Sequence, residues 1–419
     1  MREAGLRRFY YFILYYFSFF YVFYVIGFGN TTVISAFKEI LIIALVFCIW
    51  YRGNDRLLVR KKSFVFFVIY GLILLYAALN ASSLGYIYVD LKYYLIWPLI
   101  IVAGSNLFTT YKDLKGLINH ITIISFIIGI IGLYGYLTVN MDLTQWRTSF
   151  QIYAPKSVLS TAFDFGALMA IAAYLNLIAF LREKKGSGGL MRLILVAFFS
   201  VMTFLSYIRG DYLLLILLIY LALRGHIAKN RSFRTRLASR AIFDICVIIF
   251  CIVVYVAMSG SELLSTESLV MRLTEVWPSM SVQNILLGGG FGIVGRSAYG
   301  VSSYSVSDNS FLRTILTIGV LGLAMLVIAV VNFYRKSMCK SHMLGLIIPV
   351  AVTAFFSDFI VFTPAMFIVY TLLGCFSNIT DLEETEYGFI AEEFQSTGGE
   401  PLEKDRNSGV QPYESLNQR

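Results

Sequence analysis

Twelve apolar runs, separated by polar and mostly basic segments, govern what this chain can fold into. They fall at 9–28, 32–51, 63–84, 91–108, 117–139, 158–181, 193–208, 211–223, 241–258, 309–334, 343–357 and 359–376. A run of about 20 apolar residues is the length of helix that crosses a bilayer. The seventh, eighth, eleventh and twelfth runs are shorter because Arg209–Asp211 and Asp358 interrupt them, so each of these pairs reads as a hairpin or as one bent helix. The expected count is therefore about 12 spans, within a range of 10–12. Hydrophobic residues are 58% of the chain and charged ones 14%, against roughly 25% charged in a soluble domain, which leaves lipid as the solvent for most of the surface.

The formal charge of +9 suggests nucleic acid until its distribution is read. With the N-terminus and every second loop placed inside, the inner segments (1–8, 52–62, 109–116, 182–192, 224–240 and 335–341) hold 23 Lys and Arg. The opposite loops hold five, and this bias orients both termini to the cytoplasm. Nucleic acid is excluded as a partner, and the bilayer is the first partner expected. Residues 1–380 form a transmembrane helical domain with one large outer loop at 259–308. The acidic stretch 381–419 lacks apolar periodicity and is expected to be a disordered cytoplasmic tail. The basic N-terminal segment leads into a run too long for a signal-peptide core, so a retained first helix is expected.

His120, His226 and His342 all fall on the inner side, so chemistry at the outer face has no histidine as base or ligand. The five cysteines lack metal-ligand spacing. No metal and no cofactor are expected. The Gly290–Gly295 segment fits the dinucleotide glycine pattern but lies in an outer loop without the strand and helix that motif needs. It reads as a tight turn using glycine's freedom at positive φ.

Cations kept away from the inner side carry more information, because a charge in or beyond the membrane is costly unless it is used. They are Lys38, Lys92, Arg147, Lys156, Arg209, Arg272, Arg296 and Arg313. Ordinary ion pairs remain open for several: Arg209 with Asp211, Arg272 with Glu275, Lys38 with Glu39. Guanidinium groups gathered at one face suit a diphosphate, since each fork meets two phosphate oxygens. In order along the chain stand Ser206-Tyr207-Ile208-Arg209-Gly210-Asp211, then Met271-Arg272-Leu273 leading to Trp277, then Gly288–Gly292. Asp308-Asn309 follows, and after it Gly319 and Gly322, whose small size suits close helix approach. Asp308 also reads as a helix cap.

These residues, in this order, resemble the O-antigen polymerase and O-antigen ligase superfamily over roughly 206–322, with weaker agreement at 161–166. The resemblance implies an all-α polytopic glycosyltransferase of the lipid-linked (GT-C-like) type with one large periplasmic loop, in the bacterial inner membrane. Its substrate would be an undecaprenyl-pyrophosphate-linked oligosaccharide, with a chain-length regulator as a further partner. By position it implies Arg209, Arg272 and Asp308 as catalytic residues. Arg147, Lys156, Trp277, Asn309 and Arg313 are the expected substrate-binding set. Asp308 stands where ligases carry histidine, which favours a polymerase over a ligase. A lipid-linked oligosaccharide flippase is the rival of another class.

Overall fold

The computed structural model describes residues 3–25, 31–52, 61–81, 83–147, 151–159, 161–182, 187–227, 233–258, 282–293, 309–337, 339–356 and 363–379. In order these form α1 (Glu3–Val25), α2 (Thr31–Tyr51), α3 (Lys61–Leu79), α4 (Leu84–Leu107) and α5 (Tyr111–Thr138), then β1 (Thr144–Arg147) and β2 (Ile152–Pro155). The chain continues through α6 (Ala162–Arg182), α7 (Ser187–Leu205), α8 (Arg209–Ile227), α9 (Phe233–Met258), α10 (Val282–Leu287), α11 (Ser310–Lys336), α12 (Lys340–Phe356) and α13 (Pro364–Asn378). Every expected apolar run carries a helix. Among the described residues six, namely α4, α5, α6, α7, α8 and α11, are long and apolar enough to cross a membrane, which makes this a multi-pass membrane protein. That is fewer than the expected 10–12: α12 and α13, for instance, are apolar but shorter. The tail 381–419 and most of the loop 259–308 lie outside the described residues.

Two boundaries moved for physical reasons. The fourth apolar run starts at 91, just after Asp90, yet Asp90 lies inside α4, where Arg313 pairs with it. α5 begins at Tyr111 rather than 117 because the Thr110 hydroxyl accepts from Asp113 N–H and caps the helix. Between the fifth and sixth apolar runs lies an antiparallel hairpin with Trp146 opposite Tyr153 and Arg147 opposite Ile152.

α6 is the axis of the bundle and is buried on nearly every side, with α7 and α8 both packed along it. Two 19-residue helices cannot both lie along one of 21 residues unless the chain reverses between them, so the pair split at Arg209–Asp211 is a hairpin. α13 is interior as well and lies against α4. Their closeness depends on Gly104 and Gly374, where any Cβ would strike the backbone of the facing helix, and Tyr10 closes the packing through a 2.6 Å bond to Thr371 Oγ1. At the end where the basic loops gather, Arg7 pairs with Asp113, and Arg224 grips Asp244 with Nε and Nη2, each at 2.9 Å from a carboxylate oxygen.

α11 is interrupted. Gly319 adopts φ 75° and ψ 174°, which breaks the hydrogen-bond ladder about two turns in. The carbonyls of Leu316 and Thr317, which would otherwise accept from the next turn, take the N–H groups of Gly289 (2.7 Å) and Gly290 (3.3 Å). Phe291 N–H reaches Ala77 O of α3 at 3.0 Å, and its ring stacks on Tyr94 of α4. Gly290 and Gly292 have positive φ, as the tight-turn reading of Gly290–Gly295 expected, and so has Gly288 just before them, while 294–295 lie outside the described residues. Gly319 also permits the close approach expected of it, against Leu286 and Leu287. At Gly322 the atoms nearest to an added Cβ belong to Ile318 of its own helix rather than to a facing one.

Gly319→Ala should therefore lower the melting temperature of the purified protein by several degrees, since it forces a side chain into a positive-φ conformation open essentially to glycine alone (about 1–3 kcal/mol) and a backbone collision. Gly71→Ala, which meets nothing within 4 Å, should leave it unchanged or slightly raised in the same scan.

Candidate functional site

At the end where α6, α8 and α11 begin, each helix brings a polar first turn into the protein. Asp164 and Asp211 are the third residues of α6 and α8, where the positive end of the helix dipole favours a carboxylate. Thr161 Oγ1 accepts from Asp164 N–H, and Ser206 Oγ donates to Asp211 Oδ2 at 2.9 Å. Both carboxylates are buried, Asp211 completely. Asp211 fits because residue 166 has no side chain: a Cβ there would run into Asp211 Oδ2 and Ser206 Oγ.

The hairpin carries Arg147 to this place. Gln145 Oε1 accepts from Ala162 N–H at 2.9 Å, tying β1 to the start of α6, and Ser157 Oγ donates to Ile128 O of α5 at 2.8 Å. Arg147 thereby comes within electrostatic range of Asp211, as does Asp164. Arg147 Nε and Asp211 Oδ1 are both buried without a hydrogen-bond partner among the described residues. Arg209 opens α8 and Lys156 follows β2, each half-buried at the same end. Tyr207, between α7 and α8 at φ 53°, is hydrogen-bonded to the Tyr136 hydroxyl at 3.3 Å. That bond and burial push its phenol up to about 12, so it stays a neutral hydroxyl at neutral pH.

Asn309 and Arg313 belong to a neighbouring group. Asn309 caps α11, accepting from Leu312 N–H at 2.9 Å. Arg313 Nη2 donates to Asp90 Oδ1 at 2.9 Å and its guanidinium lies 4.7 Å from the Tyr93 ring centre. The other oxygen of Asp90 accepts from Gly292 N–H at 2.7 Å, so one carboxylate joins α4, α11 and the glycine segment. The structure thus gathers Arg147, Lys156 and Arg209 at the bundle end on which Asn309 and Arg313 also stand. Arg272, Trp277 and Asp308 lie outside the described residues. The pairing left open between Arg209 and Asp211 is replaced by Ser206 as the hydrogen-bonded partner of Asp211.

Sequence reasoning missed the carboxylates Asp90 and Asp164, and took Asp211 only as an ion-pair partner for Arg209 rather than as a site residue. It applied the rule that an intramembrane charge is there to be used to cations only; the same rule applied to acids would have found all three. Asp90→Asn should strand the Arg313 charge inside the bundle, a loss of about 3–5 kcal/mol, and unfold the protein at lower temperature. Adding Arg313→Gln should recover part of that loss, read as a thermal-melting double-mutant cycle. Gly166→Ala should displace Asp211 and lower melting temperature too.

No family model matches this chain, and no curated protein resembles it in sequence at a significant level.

Proposed function

We propose that the protein is a polysaccharide polymerase, which moves a growing glycan from undecaprenyl pyrophosphate to the non-reducing-end hydroxyl of a lipid-linked repeat unit at the periplasmic face of the inner membrane. One observation carries the reading beyond the sequence resemblance. Arg147 from the hairpin and the Arg209–Asp211 turn, far apart in the chain, meet at the end of the bundle opposite the basic loops.

In this reaction the acceptor oxygen attacks the anomeric carbon, the bond from that carbon to the diphosphate oxygen breaks, and the hydroxyl proton passes to a carboxylate. Charge develops on the leaving diphosphate, so cations aimed at it stabilise the transition state more than the ground state. Arg209 and Arg272 take that role, with Arg147 and Lys156 beside them. Asp308 receives the proton. Trp277 offers an aromatic face to a sugar, and Asn309 and Arg313 line the approach at the head of α11.

Arg209→Gln and Arg272→Gln should each slow polymer growth about 100-fold with purified protein and defined lipid-linked repeats, and Arg147→Gln by less. Glycan length by gel electrophoresis is the readout. Wild-type protein that moves lipid-linked sugar across a liposome without lengthening it would make it a flippase. Transfer to lipid A core in place of a second repeat would make it a ligase. Polymer of normal length from normally expressed Arg209, Arg272 and Asp308 variants would rule out the assigned residues.

A further inference from the structure

Between α1, α2 and α4 lies a second set of charges that the Arg147–Asp211 end does not use. Lys38 and Glu39 are buried about 10 Å along α2, and Lys92 stands about 12 Å along α4. Glu39 is 6% exposed; its Oε2 is 3.5 Å from the Tyr88 hydroxyl, and its Oε1 is buried with no hydrogen-bond partner among the described residues. Lys92 Nζ sits over the rings of Tyr88 (5.3 Å) and Tyr93 (5.5 Å). Lys38 Nζ sits over Phe17 (4.7 Å) and Phe20 (4.1 Å). Glu39 acts electrostatically on both lysines, and the lysines act on each other.

Glu39 is thus within electrostatic range of both lysines, and Lys92 is also within range of Asp90 and Arg313. Asp90, the next acid along α4, is already engaged by Arg313 and Gly292 N–H. Lys38 also feels Asp164, which in turn faces Asp211, so this cluster adjoins the proposed reaction end. Its flank is open to lipid: Phe37, Ile40 and Ile43 of α2 and Leu84, Tyr88 and Leu95 of α4 are exposed apolar or aromatic side chains. The complement of such a cluster is a lipid whose phosphate meets the lysines and whose neighbouring hydrogen-bond donor meets Glu39 Oε1.

We propose that Lys38, Glu39 and Lys92 form a second lipid-diphosphate site, which holds the acceptor substrate: the lysines bind its diphosphate and Glu39 accepts from a hydroxyl of its first sugar. The proposal rests on the polymerase reading, in which two lipid carriers must be held side by side for one transfer. It also gives Glu39 a sorting role. The carboxylate repels a bare polyprenyl diphosphate, the spent carrier, more than the sugar-loaded one, which has one ionisable oxygen fewer and brings sugar hydroxyls as donors.

The test is native mass spectrometry of the whole protein with undecaprenyl diphosphate and with its sugar-loaded form. Wild type should hold two sugar-loaded lipids, Lys92→Gln one, and Lys92→Arg two. Glu39→Gln should shift the preference roughly tenfold toward the bare carrier, the scale of one hydrogen bond to a charged group. The proposal is overturned if wild type holds only one, if Lys92→Gln still holds two, or if Glu39→Gln leaves the preference unchanged. It also falls if phosphatidylethanolamine at equal mole fraction displaces the second lipid. A protein that binds two lipids as described yet transfers no sugar would remove the polymerase reading and leave the site. One that polymerises while Lys92→Gln is indistinguishable from wild type in binding would do the reverse.

Discussion

Gly319 breaks α11 where water is scarce, so the carbonyls it frees must be met from within the protein. A backbone group left unmet in an apolar interior costs several kcal/mol, and the Gly288–Gly292 segment supplies the missing donors. Its entry determines what surrounds it. Phe291 needs a place between α3 and α4, Asp90 needs to reach Gly292 N–H, and Arg313 needs Asp90. The head of α11, where Asn309 and Arg313 stand, is held by this chain of obligations rather than by apolar packing alone.

The same constraint explains why the charges occur in groups. A single ionised side chain in a bundle is expensive, whereas an alternating set can be tolerated when each member has a neighbour of opposite sign. Arg147 near Asp211 and Asp164, Lys38 and Lys92 about Glu39, and Arg313 on Asp90 are three such sets. They lie toward one end of the bundle; Asp164 adjoins the first two, and Lys92 is within electrostatic range of the third. One oxygen each of Glu39 and Asp211 has no hydrogen bond among the described residues, which is the condition under which a polar ligand gains most by entering.

Much of the framework could be read from residue order. Apolar runs become helices wherever lipid replaces water, because the backbone must bond to itself, and all twelve runs do so. The glycine segment was recognisable as a turn from its composition. The hairpin that carries Arg147 was not, because two four-residue strands leave too short a pattern among polar neighbours. Asp90 falls just outside the fourth apolar run, since a lone acid beside apolar residues does not read as part of a helix until its partner, 223 positions along the chain, is known.

Residue order by itself determined that this chain lives in a membrane, roughly where its helices lie, and which cations stand away from the basic loops. Those follow from local transfer energies that each segment carries with it. Only the tertiary structure decided that Asp211 lies near Arg147, that Ser206 is its bonded partner, that Gly288–Gly292 repairs α11, and that Glu39 sits between two lysines. Each of these joins helices far apart in the chain, and the energy of a buried charge or carbonyl depends on what another helix brings to it.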